Sequence, residues 1–288
     1  MPALSLVDLD ERADLSGSVL ALFAPAAPGI EHLVSGIPSR MGLPPTVNDL
    51  EQAAGVLVAL NGLRPVGALA IMSYGKDQMT LWGPALTANA LTTQVPDILV
   101  NEARRALRSG GFSSMRALVD VRNRRQRVLF QAHGFASWKD NHCYERDLGS
   151  AEAVPTPVRL AAAEDHKAVV GILIPAFPAS DHCFPDLAYR EQQGFRHYVL
   201  QIDGRIVAAG AVESGGRRSW LTMVAVAAEF RGKNLSRQLL AGIIANEAGR
   251  GARAMGLEVL ADNAPAIRLY EHVGFRRSWT ATVMTGPV

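Results

Sequence analysis

The residues best suited to chemistry lie in two short stretches of the second half of this 288-residue chain. In the first, the apolar residues Val224, Ala225 and Val226 lead into Arg231, Gly232, Lys233, Asn234, Leu235 and Ser236, after which apolar residues recur at helical spacing. A strand that turns into a helix leaves the first backbone N–H groups of the helix unpaired. With the macrodipole these groups form an anion site suited to a pyrophosphate. Asn234 is the non-glycine type that best tolerates positive φ, and Ser236 is small, with a hydroxyl able to donate to a phosphate. The competing reading is a capped helix start without a ligand. The second stretch runs from Asn263, a natural helix N-cap with Pro265 tolerated in the first turn, to Gly274 and Phe275. Within it, Tyr270 shares a helix face with Ile267 and Val273, and core packing alone would explain its ring.

The elements that position these residues occur twice. Asn123 to Phe135 matches Asn263 to Phe275 in its Asn, a Leu, an aromatic, Gln/Glu and the closing Gly-Phe, 140 residues apart. A strand precedes each copy (115–121 and 257–261). Before that, a helix holds the tripeptide Asn-Glu-Ala at 101–103 and at 246–248, which implies a longer connection in the first half. The predicted second half reads strand 158–162, helices 164–174 (stopped by Pro175) and 185–193, a hairpin 198–202 and 205–212 turning at Asp203-Gly204, and strand 220–226. A helix 235–248 follows, with Leu235, Leu239, Leu240, Ile243 and Ile244 on one stripe, then a strand, the Asn263 helix and strand 279–285. The first half follows the same order, its hairpin turning at Asn61-Gly62. The expected domains are 1–148 and 158–288, joined by a linker at 149–157 whose composition lacks apolar periodicity.

Composition narrows the function. A net charge of +2 offers no attraction for polyanions, so no nucleic-acid partner is expected, and Arg122, Arg124, Arg125 and Arg127 spread around a helix as a solvated surface. Two cysteines, Cys143 and Cys183, are too few for a disulfide framework and lack zinc-site spacing, so no metal is expected and a reducing cytoplasm fits best. No nucleophilic triad surrounds Cys183. The N-terminus carries acids where a signal peptide is basic, and the apolar stretch 19–30, broken by Pro25 and Pro28, is too short to span a bilayer, so no membrane association is expected.

Arg231 to Ser236 and Asn263 to Phe275, in this order and spacing, resemble the acyl-CoA loop and the following Asn-x-x-Ala-x-x-x-Tyr-x-x-x-Gly-Phe motif of the GNAT (N-acetyltransferase) superfamily. The loop departs from the family where Asn234 and Ser236 stand at glycine positions. The resemblance implies an α/β class with a mixed sheet: two tandem GNAT folds, each a central, mostly antiparallel sheet flanked by helices. The tandem arrangement with a decayed first copy is similar to that of the mycothiol synthases, a likeness of architecture without a substrate. It further implies acetyl-CoA or another acyl-CoA as co-substrate, a small-molecule amine as acceptor, and direct attack of the amine on the thioester. By the same resemblance Val224, Ala225, Val226, Arg231, Gly232, Lys233, Asn234, Leu235, Ser236, Asn263 and Tyr270 bind the co-substrate, and Tyr270 protonates the leaving thiolate. Glu213 is the candidate base. Asp181, His182 and Glu191 are further candidates, each with an ordinary solvated or structural reading, and a water chain could serve instead. The first copy has neither cation nor glycine between Leu86 and Pro96, so one CoA per chain is expected. Two alternatives stay open: a non-catalytic acyl-CoA-binding module, and aminoacyl-tRNA-dependent transfer, which the near-neutral charge disfavours.

Overall fold

A computed structural model describes residues 4–23, 47–74, 78–149, 157–177, 187–192 and 194–288. The chain forms two compact units, Met1–Asn141 with Thr280–Val288, and His142–Trp279. They differ from a linear 1–148 and 158–288 division at two strands of 12 residues each, β6 (Ala136–Asp147) and β12 (Arg276–Pro287), within which the unit boundaries fall. At about 3.3 Å per residue such strands outrun the seven-residue strands beside which they lie.

The first unit contains β1 (Leu4–Asp8), α1 (Ser16–Phe23), α2 (Val47–Glu51), β2 (Gly55–Asn61), β3 (Arg64–Tyr74), β4 (Gln78–Leu86), α3 (Val95–Ser109), β5 (Ser114–Asp120) and α4 (Arg124–Ala132). Its strands run β1-β2-β3-β4-β5-β12, antiparallel except for β4 beside β5. One face packs on α3 and α4 through Leu99, Ala103, Leu107 and Phe130, the other on α1 through Val19 and Phe23, whose ring stacks on Trp82 at 4.6 Å.

The second unit repeats this order with β7 (Val158–Leu160), α5 (His166–Ala176), α6 (Leu187–Gln192), β8 (Phe195–Ile202), β9 (Arg205–Gly215), β10 (Arg218–Val226), α7 (Leu235–Gly249), β11 (Ala254–Leu260) and α8 (Ala264–His272). Its strand order is β7-β8-β9-β10-β11, with β6 on the far side of β11; only β10 and β11 are paired in parallel among the pairs β7 to β11. The β8–β9 turn places Asp203 at φ 49° and Gly204 at φ 78°, the left-handed pair a tight hairpin needs. The expected stripe Leu235, Leu239, Leu240, Ile243 and Ile244 is buried against the sheet. On the other face, Val169, Leu173 and Leu187 of α5 and α6 meet Val199, Ala209 and Ala225.

Two expectations are corrected. Helix α5 continues through Pro175 to Ala176, because a proline in the last turn forfeits only one backbone hydrogen bond. The Asn-Glu-Ala tripeptides are not equivalent: α3 and α7 are both 15 residues and start 140 apart, as do β5 and β11, so the connection in the first unit is no longer than in the second. Glu102 sits on the surface with Arg105 at 2.6 Å. Glu247 is wholly buried and accepts hydrogen bonds from Tyr198, Ser219 and Arg196, tying α7 to β8 and β10. Burial, with the Glu247 bond second, raises the Tyr198 hydroxyl above its ordinary value. Among the described residues no helix is long and apolar enough to cross a membrane, and no cluster of His, Cys, Asp and Glu could hold a metal ion.

Candidate functional site

The site begins where two parallel strands part. β10 pairs with β11 only from Arg218–Leu221 to Ala254–Leu257, although β10 runs on to Val226. At Thr222 the register with β9 slips by one residue, and the Thr222 hydroxyl donates to the Ala211 carbonyl at 3.0 Å. Beyond this bulge Met223 to Val226 keep their pairing with Ala211 to Ala208, while their other edge has left β11. That edge offers unpaired backbone donors and acceptors to an extended ligand. Val224 and Val226 pack toward α7 in the same apolar cluster as Leu235, Ile267 and Tyr270, and Ala225 faces α5.

The strand ends in a short 3-10 turn, Ala228–Phe230, and a loop from Arg231 to Asn234, all four residues exposed. Gly232 takes φ 80°, and Asn234, the helix N-cap, takes φ 58° and ψ 17°, the left-handed conformation for which asparagine suits. Its side chain makes no capping hydrogen bond. The first N–H groups of α7 are therefore left to a ligand or solvent, beside Lys233 and Arg231, whose Nε donates to the Val226 carbonyl at 3.2 Å. Leu235 is buried under this turn and Ser236 is half-buried.

Asn263 caps α8, its side chain accepting from the Ala266 N–H at 3.3 Å, and stays exposed. Tyr270 is half-buried, with its ring 6.1 Å from that of Phe275. Burial pushes its hydroxyl up to about 12, so it holds its proton at neutral pH.

The opposite sheet face, under α5 and α6, carries the acids. Ser219 and Leu221 turn toward α7, which sends Trp220 to this face, with Glu213 and Phe195 in the same register row. The Trp220 ring covers Gly256, where any Cβ would lie 2.2 Å from it. Glu213 is half-buried here. Sequence reasoning passed over Glu258, exposed on β11 just past the last paired residue Leu257 and two positions beyond Gly256, hence on the same face. The available signal was an acid in an otherwise buried strand. Glu191 lies on α6 between His166 and His197, at 3.3 and 3.2 Å. Asp181, His182 and Cys183 lie outside the described residues.

The first unit shows the same frame filled from within. β4 leaves β5 after Leu81 and Ala117, but the Gly83 carbonyl accepts from the Gln126 side chain at 3.1 Å. Gln126 stands where the second unit has Ala266. Gln94, at the place of Asn234, has ordinary helical φ and ψ; the Thr93 hydroxyl takes the Val95 N–H at 3.2 Å, and Pro96 has none to offer.

Residues 161–275 match the acetyltransferase (GNAT) family model. A [ribosomal protein bS18]-alanine N-acetyltransferase of Escherichia coli (strain K12) is 32% identical over 101 residues, 34% of this chain and 68% of that protein. Among solved structures, a tandem GNAT protein from the clavulanic acid biosynthesis pathway superposes with TM-score 0.72 at 19% identity, covering 99% of this chain and 98% of its own. A GNAT-family acetyltransferase from Colwellia psychrerythraea does so with TM-score 0.62 at 14% identity over 99% of both chains. The chain belongs to the GNAT family of acetyltransferases, as an N-acetyltransferase of the tandem-domain type. The co-substrate of that family is acetyl-CoA.

Proposed function

We propose that the second unit transfers an acetyl group from acetyl-CoA to the amine of a small molecule, and that the first unit binds no CoA. The observation that carries this reading is the open edge of Met223–Val226 above an uncapped α7, set against the same edge closed by Gln126 in the first unit. The residues present fit the co-substrate: N–H groups at Leu235 and Ser236 with Lys233 and Arg231 for the pyrophosphate, and the β10 edge with Asn263 for the pantetheine arm. When bound, the thioester supplies the activated acyl group. An N–H of the β10 edge polarises its carbonyl, and the Tyr270 hydroxyl transfers its proton to the departing sulfur. Glu213 and Glu258 hold the acceptor as an ammonium ion beside the apolar surface of Phe195 and Trp220.

The likeness to an enzyme acting on bS18 alanine favours a second reading, in which the acceptor is a peptide N-terminus. A panel of small amines together with an alanine-initiated peptide, incubated with acetyl-CoA and followed by free-thiol release, tests both. Turnover with small amines and not with the peptide supports the first; thiol release that no amine increases would refute N-acetyl transfer.

A further inference from the structure

The acyl transfer outlined above has a proton to dispose of, because an amine attacks only after losing its ammonium proton. The face under α5 and α6 carries a group suited to take it. His197 of β8 is 1% exposed. Its Nδ1 lies 3.2 Å from Glu191 Oε1, and its Nε2 is buried with no hydrogen-bond partner. An imidazole whose Nδ1–H donates to a carboxylate presents a lone pair at Nε2, and the ring directs that lone pair away from the carboxylate. The same Glu191 oxygen is 3.3 Å from Nε2 of His166 on α5. Side-chain exposure rises from 0% at His197 to 22% at His166 and 36% at Glu191, so the three groups connect the interior of this face to its rim.

Register places the buried end of this chain near the reacting centre. His197 pairs with Ala211, and Ala211 with Met223, the first residue beyond the bulge. Three strands in one row put His197 and Met223 about 10 Å apart at the backbone. Ala211, which stands between them in the row, carries only a methyl group.

We propose that His197, held by Glu191, accepts the ammonium proton of the acceptor and that Glu191 and His166 conduct it to solvent; this rests on the N-acetyl transfer reading. The amine nitrogen loses H⁺, directly or through one water, and His197 Nε2 gains it. The Nδ1 proton then moves onto Glu191, and His166 or solvent takes it from there. The neutral amine attacks, and Tyr270 supplies the proton that the sulfur needs. The groups facing His197 are Glu191 and Arg190 on α6, His166 on α5 and, one row along on β9, Glu213. Burial lowers the His197 pKa below 6.5, Arg190 and His166 acting in the same direction and Glu191 against it, so the ring is neutral and ready at pH 7.

The experiment measures kcat/KM against pH for the parent, His197→Gln, Glu191→Gln, Glu213→Gln and Glu258→Gln. Each is assayed with a strongly basic amine and with a weakly basic one that is already neutral at pH 7. His197→Gln should lose about 10²- to 10⁴-fold with the basic amine, the usual range for a general base, and far less with the weakly basic one. Glu191→Gln, at the rim and expected to fold, should lose in the same selective way, with its pH break displaced; Glu213→Gln and Glu258→Gln should raise KM for the basic amine with kcat little changed. Independently of turnover, ¹⁵N spectra of histidine-labelled protein should assign His197 to the Nδ1–H form, with that preference lost in Glu191→Gln. Equal losses for both amines, an unmoved pH profile in Glu191→Gln, or an Nε2–H tautomer in the parent would each overturn the proposal while leaving acetyl transfer standing. A parent that transfers to no amine would overturn both.

Discussion

The two units keep one frame and differ in what satisfies its polar backbone. Where β10 parts from β11 the second unit leaves an open edge, and where β4 parts from β5 the first unit closes it with Gln126. At the following helix start, Asn234 caps nothing with its side chain, while Thr93 and Pro96 consume or delete the equivalent donors. The aromatic ring on the next helix is Tyr270 in one unit and Phe130, fully buried, in the other. A buried N–H or C=O needs a partner, so a copy that no longer binds a ligand must supply one from its own side chains. On the proposed reading, the absence of CoA binding in the first unit goes with these internal hydrogen bonds, its apolar core being intact.

The largest effect that would sharpen this contrast is expected at Tyr270. Tyr270→Phe, which installs the residue of the first unit, should lower kcat by roughly 10- to 1000-fold with CoA affinity little changed; unchanged turnover, with chemistry rate-limiting, would remove Tyr270 from the mechanism. Next, Ala266→Gln should transplant the plug. If the added side chain costs about 1–3 kcal/mol of binding, CoA affinity falls by about 5- to 150-fold in calorimetric titration. The same titration of the parent should find one CoA per chain, and two would break the comparison outright. A smaller loss, about tenfold, is expected for Asn234→Val, because a β-branched residue is strained at positive φ, whereas Asn234→Gly should bind as the parent does.

In the first unit the reverse change, Gln126→Ala, removes the buried hydrogen bond to the Gly83 carbonyl. It should cost about 1–3 kcal/mol of stability in denaturant melts without creating a second CoA site. The smallest effect concerns pH. Because the folded-state pKa of His197 lies below 6.5, the folded protein binds fewer protons than the unfolded chain in the window below that value. Stability should fall as pH drops from 6.5 toward the folded value, and His197→Gln should flatten that slope in urea midpoints.

Local chemistry made much of this legible beforehand. The Asn263 to Phe275 segment and its copy carry caps, helix period and a closing Gly-Phe within 13 residues, so short-range rules suffice to read them. The Arg231 to Ser236 turn is likewise written in residues that tolerate unusual backbone angles. The Asn-Glu-Ala match misled because a tripeptide on a helix says nothing of depth: Glu247 is a buried polar knot and Glu102 a surface acid.

The sequence by itself determined the repeat, the alternation of strands and helices, the loop that suits a pyrophosphate and the tyrosine confined to one copy, because each depends on residues close together along the chain. Tertiary structure alone decided which strand edges part, that Gln126 reaches Gly83 across 43 residues, that β12 completes the first unit, and that Glu191 joins His166 to a buried His197. Those facts depend on register and on which face a side chain takes. A single-residue slip such as the bulge at Thr222 reverses both, and neither composition nor spacing records it.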